Sequence, residues 1–394
     1  MSVFKIKGVI QNYDWGGRDF IPNLLGVAKD GKSAEYWMGA HDKAPSLITD
    51  TNKTLNDLIS EQPEVMLGSK VFKHFGKLPF LFKVLDVNDM LSIQVHPSKE
   101  EALKEFEKEN KLGIPLSANH RNYKDDNHKP EIMVALGDFW LLHGFQSSSL
   151  LKRTLSNTKE LIHLLPIFED YGYQGLYQKV MEETPEQTNS TLQPLIDRVL
   201  PLYKANKLQK SSPDFWAARA HQTFSKNGII DKGIYSIYFF NIVNAQYGEA
   251  VFQDAGVPHA YLEGQCIELM ANSDNVLRGG LTPKHVDVPE LMKHVKFVET
   301  IPKLLKGDLQ SDGYERIYKT EIQDFELSKI DLNASSTFKT QSKTFEILLL
   351  IEGNIEINNQ IQLNKGEVVA ISANYNYNIE AKEKATLYRA KSPQ

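Results

Sequence analysis

The chain has 394 residues, with 50 acidic against 45 basic side chains and a formal net charge of −5. That length permits a large core and two or three domains, while the charge argues against a general nucleic-acid binder, which shows a basic footprint. The hydrophobic share of 41% and the charged share of 24% are those of an ordinary globular chain, and no run approaches the roughly 20 apolar residues that span a bilayer.

Cys266 is the only cysteine, so no intrachain disulfide can form, as suits a reducing compartment. The opening stretch MSVFKIKGVIQNYDWGGRDF interleaves charged and polar groups with its apolar positions and lacks a signal-peptide core. The expectation is a cytoplasmic monomer with a small-molecule ligand and no nucleic-acid or membrane partner. An anionic ligand is compatible with the charge, because a local basic cluster sets the field inside a cleft.

From 1 to about 150, short apolar runs such as LPFLFKVL and LSIQVH alternate with the turn residues DWGG, KDGK, NDM and LGD, which predicts mostly strands. The exception is SKEEALKEFEKEN, where Ser98 and Glu101 form a capping box ahead of a charged amphipathic helix. From 151 to 226 the period changes. Leu192, Leu195, Ile196, Val199, Leu200 and Tyr203 recur at helical spacing. Ser212 and Pro213 then suit the N-cap and first position of a further helix. The segment reads as a helical domain inserted into a strand-rich protein. Strands return at GIYSIYFFNIVNAQYGEAVFQDAGVPHAY and dominate to the end, with one or two short helices expected in HVDVPELMKHVKFVETIPKLLK. A weak repeat relates GEAVFQDAGVPHAY to GEVVAISANYNYNI and sets His259 against Tyr377. Glycine-led strands of this kind suit a jelly roll such as that of cupins, although two similar hairpins also arise by chance. If the repeat is real, the second copy has lost a potential metal ligand and is structural.

Three clusters carry candidate chemistry. In SIQVHP, strand alternation would put Ser92, Gln94 and His96 on one face; a solvent-facing edge strand is the plainer alternative. In YKDDNHKPE, Pro130 extends the backbone at Lys129, and Glu131 leads into the apolar IMVAL; a polar turn would look the same. In the run 256–284, the turn at Gly256 and Pro258 would aim His259. Farther on, Arg278-Gly279-Gly280 with Lys284 resembles an anion-receiving loop, and a salt-bridged turn remains open. Together Gln94, His96, Glu131 and His259 offer oxygen and nitrogen donors that suit a borderline divalent ion, zinc first.

At these clusters the chain resembles the type I mannose-6-phosphate isomerases, zinc-dependent enzymes of fungi, animals and enteric bacteria. YKDDNHKPE is similar to the family signature Y-x-D-x-N-H-K-P-E, and HAYLEGQCIELMANSDNVLRGGLTPK to its long second signature, with Gly279 where the family usually has alanine. IQVHP, NYDWGG and EYWMGAHDKAPS resemble further family segments, so the likeness spans 12–284 with gaps. The resemblance implies a mainly β fold of cupin (jelly-roll) β-sandwiches with an α-helical insertion. The catalytic sandwich would be divided between 1–150 and 227–300, with the insert at 151–226 and a metal-free sandwich at 301–394. It implies one Zn2+ per chain on Gln94, His96, Glu131 and His259, and Arg278 as a catalytic residue. Ser92, Lys129, Glu268, Asp274 and Lys284 match pocket-lining positions.

The implied activity interconverts D-mannose 6-phosphate and D-fructose 6-phosphate by a metal-assisted enediol proton transfer, in carbohydrate metabolism ahead of GDP-mannose biosynthesis. Glu268 is the leading candidate base, with Lys129 and Asp274 behind it. Lys284 and Ser92 are the candidates for the phosphate. Two rivals share these residues. A cupin non-haem iron oxygenase would use His96, Glu131 and His259 as its triad, with Gln94 as an unwanted fourth ligand. A non-catalytic sugar-phosphate-binding protein would keep the pocket without turnover.

Overall fold

The computed structural model describes residues 3–393. Antiparallel ladders build one sheet of ten strands, one of eight and one of four, and helices are concentrated between Ser148 and Phe239. The protein is mainly β with a helical region, as expected.

The ten-stranded sheet runs in the order Ala250–Gln253, Glu131–Ala135, His259–Ala271, Phe80–Val87, Glu35–Gly39, Val9–Gln11. Its organiser is His259–Ala271, which pairs with Phe80–Val87 along its second half and with Phe139–Phe145 along its first. The change of partner coincides with a register shift between Tyr261 and Glu263 and with Gly264, whose φ is +126°. A Cβ there would lie 2.7 Å from the Asp138 carbonyl oxygen, so the bend requires glycine.

Both faces of this sheet are covered, and the alternation of side chains assigns each residue to one of them. Phe80, Phe82 and Val84, together with Ile132, Val134, Ile267 and Leu269, face the eight-stranded sheet across a shared core with Ile347, Leu349, Val368 and Ala370. The opposite parity, Leu85, Val87, Met133, Ala135 and Cys266, lines the interior of the first sandwich. The eight-stranded sheet is likewise two-sided. Leu348 and Leu350 point away from the shared core and pack with Ile355, Ile357 and Ile379 of the four-stranded sheet. Its members include Val3–Lys7, which pairs with Val368–Ile371 near the other end of the chain.

Helix signals are met where caps are strong. The Ser98–Glu101 box starts Lys99–Lys111, and Ser212 with Pro213 opens Pro213–Phe224. Leu192, Leu195, Ile196 and Val199 are buried along Pro185–Lys204. Two expectations are corrected. The first 150 residues also hold helices at Phe20–Leu25, Leu55–Glu61, Pro63–Leu67 and Ser69–Phe75. Each is too short to display a helical period, although Thr54 and Asp57 do form a capping box. GIYSIYF, read as strand, is the helix Gly233–Phe239. Its β-branched and aromatic residues are all buried, so packing overrides local propensity. The later segment holds one short helix, Val288–His294. The two glycine-led strands also correspond: Gly248 (φ +80°) precedes Ala250–Gln253, and Gly366 (φ +84°) precedes Val368–Ile371.

Among the described residues, no helix is long and apolar enough to cross a membrane.

Candidate metal centre

Charged groups replace apolar ones at three interior-parity positions of neighbouring strands: Lys83, Glu131 and Glu268. Lys83 lies directly opposite Glu268, and Glu131 opposite Met270. Beside them the two-residue strand Gln94–Val95 pairs Gln94 with both His259 and Arg278. The first and third sequence clusters therefore meet across one ladder. His96, Glu131 and His259 are buried, and one ligating atom from each lies within 4.8 Å of the others.

The two imidazoles are prepared for a cation. His96 Nδ1 lies 2.9 Å from the Asn275 carbonyl oxygen and His259 Nδ1 2.9 Å from that of Val257. A carbonyl only accepts, so each Nδ1 carries the proton and each Nε2 presents a lone pair. Those Nε2 atoms are buried without a hydrogen-bond partner and stand 3.4 and 3.3 Å from Glu131 Oε1 and Oε2. Burial, followed by the Lys129 charge, pulls His96 down to about 4, so it is neutral at physiological pH. Burial opposes the charged form of Glu131, yet Lys129 and His96 outweigh it and hold the carboxyl well below the usual range. Gln94 lines the same cavity. Two nitrogens, a carboxylate and an amide oxygen make a donor set that fits a divalent ion of zinc type.

Around this cluster is a cavity of about 40 Å³ whose lining includes Glu35, Lys83, Lys129, Tyr261 and Glu268. Lys83 Nζ is 3.1 Å from Glu268 and 3.5 Å from Glu35, and Lys129 Nζ is 2.8 Å from Glu131. Three carboxylates thus face two ammonium groups, leaving one negative charge in excess where a dication would be received. Burial, together with Glu131 and Glu35, raises the Glu268 carboxyl. Lys83 is held charged by Glu35 and Glu268 against its own burial. Lys83 and Glu35 were missed from the sequence. The available signal was a single lysine inside the apolar LPFLFKVL, since an unpaired charge is not tolerated there.

The signature runs knit together mainly through one side chain. Asn275, fully buried, accepts from the backbone of Lys124 at 2.7 Å and donates to the carbonyls of Asp125 and Asn127 at 2.8 Å each. Its own carbonyl is the one that orients His96. Gly256 N donates to His96 O at 2.9 Å, which ties the turn before His259 to the other imidazole.

Other sequence candidates lie farther out. Ser92 is partly buried and precedes the short ladder, so it does not share a regular strand face with Gln94 and His96. Asp274 is held by Lys43 at 2.5 Å and His41 at 3.5 Å and lines a second cleft, of about 440 Å³. Hydrogen bonds from His41 and Lys43 hold its carboxyl far below the ordinary range in spite of burial. Arg278, partly buried, has no hydrogen bond or ion pair from its guanidinium among the described residues. Lys284 is exposed and close enough to feel the Arg278 charge.

A family model described as the phosphomannose isomerase type I catalytic domain matches residues 3–148. The mannose-6-phosphate isomerase of Escherichia coli K12 is 36% identical over 382 residues, covering 94% of this chain and 95% of the relative. The human enzyme of that name is 32% identical over 427 residues, with 97% and 96% covered. Among solved structures, mannose 6-phosphate isomerase from Salmonella typhimurium bound to fructose 6-phosphate and zinc superposes with a TM-score of 0.89 at 34% identity, over 100% of both chains. With the metal cluster buried at the junction of both signature segments and this likeness running the length of the chain, the protein belongs to the type I mannose-6-phosphate isomerase family.

Proposed function

We propose that this chain interconverts D-mannose 6-phosphate and D-fructose 6-phosphate, acting as a zinc-dependent monomer in the cytoplasm. The observation that carries this reading is the pair of freed imidazole Nε2 atoms facing Glu131 beside the buried Lys83–Glu268 row. The relative of similar fold crystallised with fructose 6-phosphate and zinc supports it. The free, buried Cys266 suits a reducing cytoplasm.

Gln94, His96, Glu131 and His259 would hold a divalent ion, which would supply Lewis-acid stabilisation of the charge that develops on the sugar oxygens. The chain's own groups move the protons. Glu268, buried and raised in pKa, takes the proton from carbon 2 of the aldose and, after exchange with water, returns one to carbon 1 of the enediol. Lys83 and Lys129 flank the same cavity; between them they supply the proton that the carbon-1 oxygen gains and accept the one that the carbon-2 oxygen loses. Lys129 and Asp274 are less suited to the role: the first is paired with Glu131, and the carboxyl of the second is held low by His41 and Lys43. Arg278, whose guanidinium has no hydrogen bond or ion pair among the described residues, stabilises the growing enediolate charge. Lys284 and Ser92 meet the phosphate.

The test is turnover of mannose 6-phosphate and metal content measured on one sample. Activity should vanish on chelation and return with zinc. A sample holding one zinc per chain that leaves mannose 6-phosphate unchanged would refute the isomerase; oxygen consumption by an iron-loaded sample would favour the oxygenase.

A further inference from the structure

The loop that follows Arg278 has an unusual backbone. Gly280 has φ +112° and the fully buried Leu281 has φ +53°, a left-handed conformation that a leucine adopts only when its surroundings impose it. On one side the loop is held by the metal-site strand region: Ile93 N donates to Gly280 O at 3.0 Å, and Gly279 N to Ile93 O at 2.8 Å. On the other side a single carboxylate holds it. Asp231 Oδ1 accepts from Leu281 N at 2.7 Å and from Gly233 N at 2.7 Å, while Oδ2 accepts from Thr282 N at 3.2 Å. Thr282 Oγ1 in turn accepts from Lys284 N at 3.1 Å. Gly233 and Gly280 touch backbone to backbone, since a Cβ on Gly280 would lie 2.5 Å from Gly233 Cα.

Asp231 therefore grips the loop between its two cationic residues, at Leu281, three residues beyond Arg278, and at Thr282, two before Lys284. Arg278 has only a two-residue ladder of its own, paired with Gln94–Val95. Its side chain makes no hydrogen bond or ion pair among the described residues that would orient it, so its position depends on where the backbone places it. We infer that Asp231, contributed by the segment that ends the helical insertion, is the positioning residue for Arg278 and Lys284, acting on the reaction through the loop without touching substrate. This rests on the proposed role of Arg278 in stabilising enediolate charge.

The experiment is a double-mutant cycle on the zinc-loaded enzyme. Asp231→Asn keeps the Oδ1 acceptor for Gly233 and Leu281 and turns the group facing Thr282 N–H into a donor. It should lower kcat by on the order of tenfold to a hundredfold, the loss that follows when a catalytic group is misplaced by about an ångström. Zinc content should stay at one per chain. In the Arg278→Ala background the same substitution should lower kcat by less than about threefold, because Arg278, the group through which it reaches kcat, is gone, and any effect through Lys284 would fall on KM. A loss of equal size in both backgrounds, or none in the wild type, would overturn the inference while leaving the role of Arg278 intact. Normal kcat in Arg278→Ala alone would remove that role, and the inference with it. If Asp231→Asn does not fold, Asp231→Glu retains the charge on a longer stem, and it should show the same dependence on Arg278.

Discussion

At the scale of single residues, the site joins two kinds of preparation. The imidazoles are fixed as tautomers by the backbone carbonyls of Asn275 and Val257, and burial, with Glu131 and Glu35, raises the carboxyl of the base against its Lys83 partner. His96→Ala and His259→Ala are each expected to remove bound zinc and turnover together, read by metal analysis on the purified variants; a variant keeping both would exclude that residue as a ligand. Glu268→Gln should keep its zinc but lower kcat by at least about 10², the lower range for loss of a positioned general base. With the wild type in heavy water, fructose 6-phosphate should gain deuterium at carbon 1. No label after many turnovers, with Glu268→Gln fully active, would instead favour a hydride shift. The cluster of His96, Glu131 and His259 was legible in the sequence because three motifs each place a donor beside a turn or proline. Lys83 and Glu35 were not, since their meaning depends on strand register: only the pairing of Lys83 with Glu268 and Trp37 shows that this lysine points into the cavity.

At the scale of elements, the metal site depends on how two short helices hold the signature loops. Tyr123, at the head of YKDDNHKPE, donates its hydroxyl to Glu290 at 2.7 Å and lies 2.6 Å from His294 Nε2, both on Val288–His294. His294 Nδ1 faces Glu101 of Lys99–Lys111 at 3.1 Å. Lys293, bonded to Glu290, is the other charge at this contact. Burial alone would lower the His294 pKa, but Glu290 and Glu101 outweigh it and raise it above its ordinary value. A histidine raised on folding contributes stability that is fully present below its unfolded pKa, about 6.5, and is lost as pH rises through the folded value. His294→Gln should therefore lower Tm more at about pH 6 than at about pH 8.5; a difference that stays flat or grows with pH would contradict the assignment. The cap on Lys99–Lys111 was readable because Ser98 and Glu101 act locally. Gly233–Phe239 was misread because nothing local distinguishes a buried helix of aromatic and β-branched residues from a strand.

At the scale of the molecule, the sandwich formed by the eight- and four-stranded sheets explains why the ten-stranded sheet can be apolar on both faces. Ile347, Leu349, Val368 and Ala370 cover the side of Phe80–Val87 that turns away from the cavity, and His128 of the signature run meets Asp324 at 3.0 Å. Where the repeat sets Tyr377 against His259, this second sandwich holds a charge network. Tyr377 donates to Glu346 at 2.6 Å, and Arg389 donates to Tyr377 at 3.1 Å, to Glu346 at 3.4 Å and to Glu315. All four side chains are buried, so one guanidinium, a permanent cation, offsets two carboxylates inside the fold. Removing it would leave Glu315 and Glu346 buried and unpaired. Arg389→Met should accordingly cost about 3–5 kcal/mol of folding free energy, a large share of the roughly 5–15 kcal/mol typical of a domain, read as a lower midpoint in urea. Tyr377→Phe removes one hydrogen bond to a charged group and should cost about 1.5–3 kcal/mol, with turnover nearly unchanged. Because the network lies on the far side of the shared core from His96 and Glu131, the folded fraction of either variant should keep one zinc per chain and normal kcat. A loss of zinc or kcat at full folding would show that the second sandwich takes part in the chemistry, and a second ion bound near Tyr377 would show that it is not metal-free.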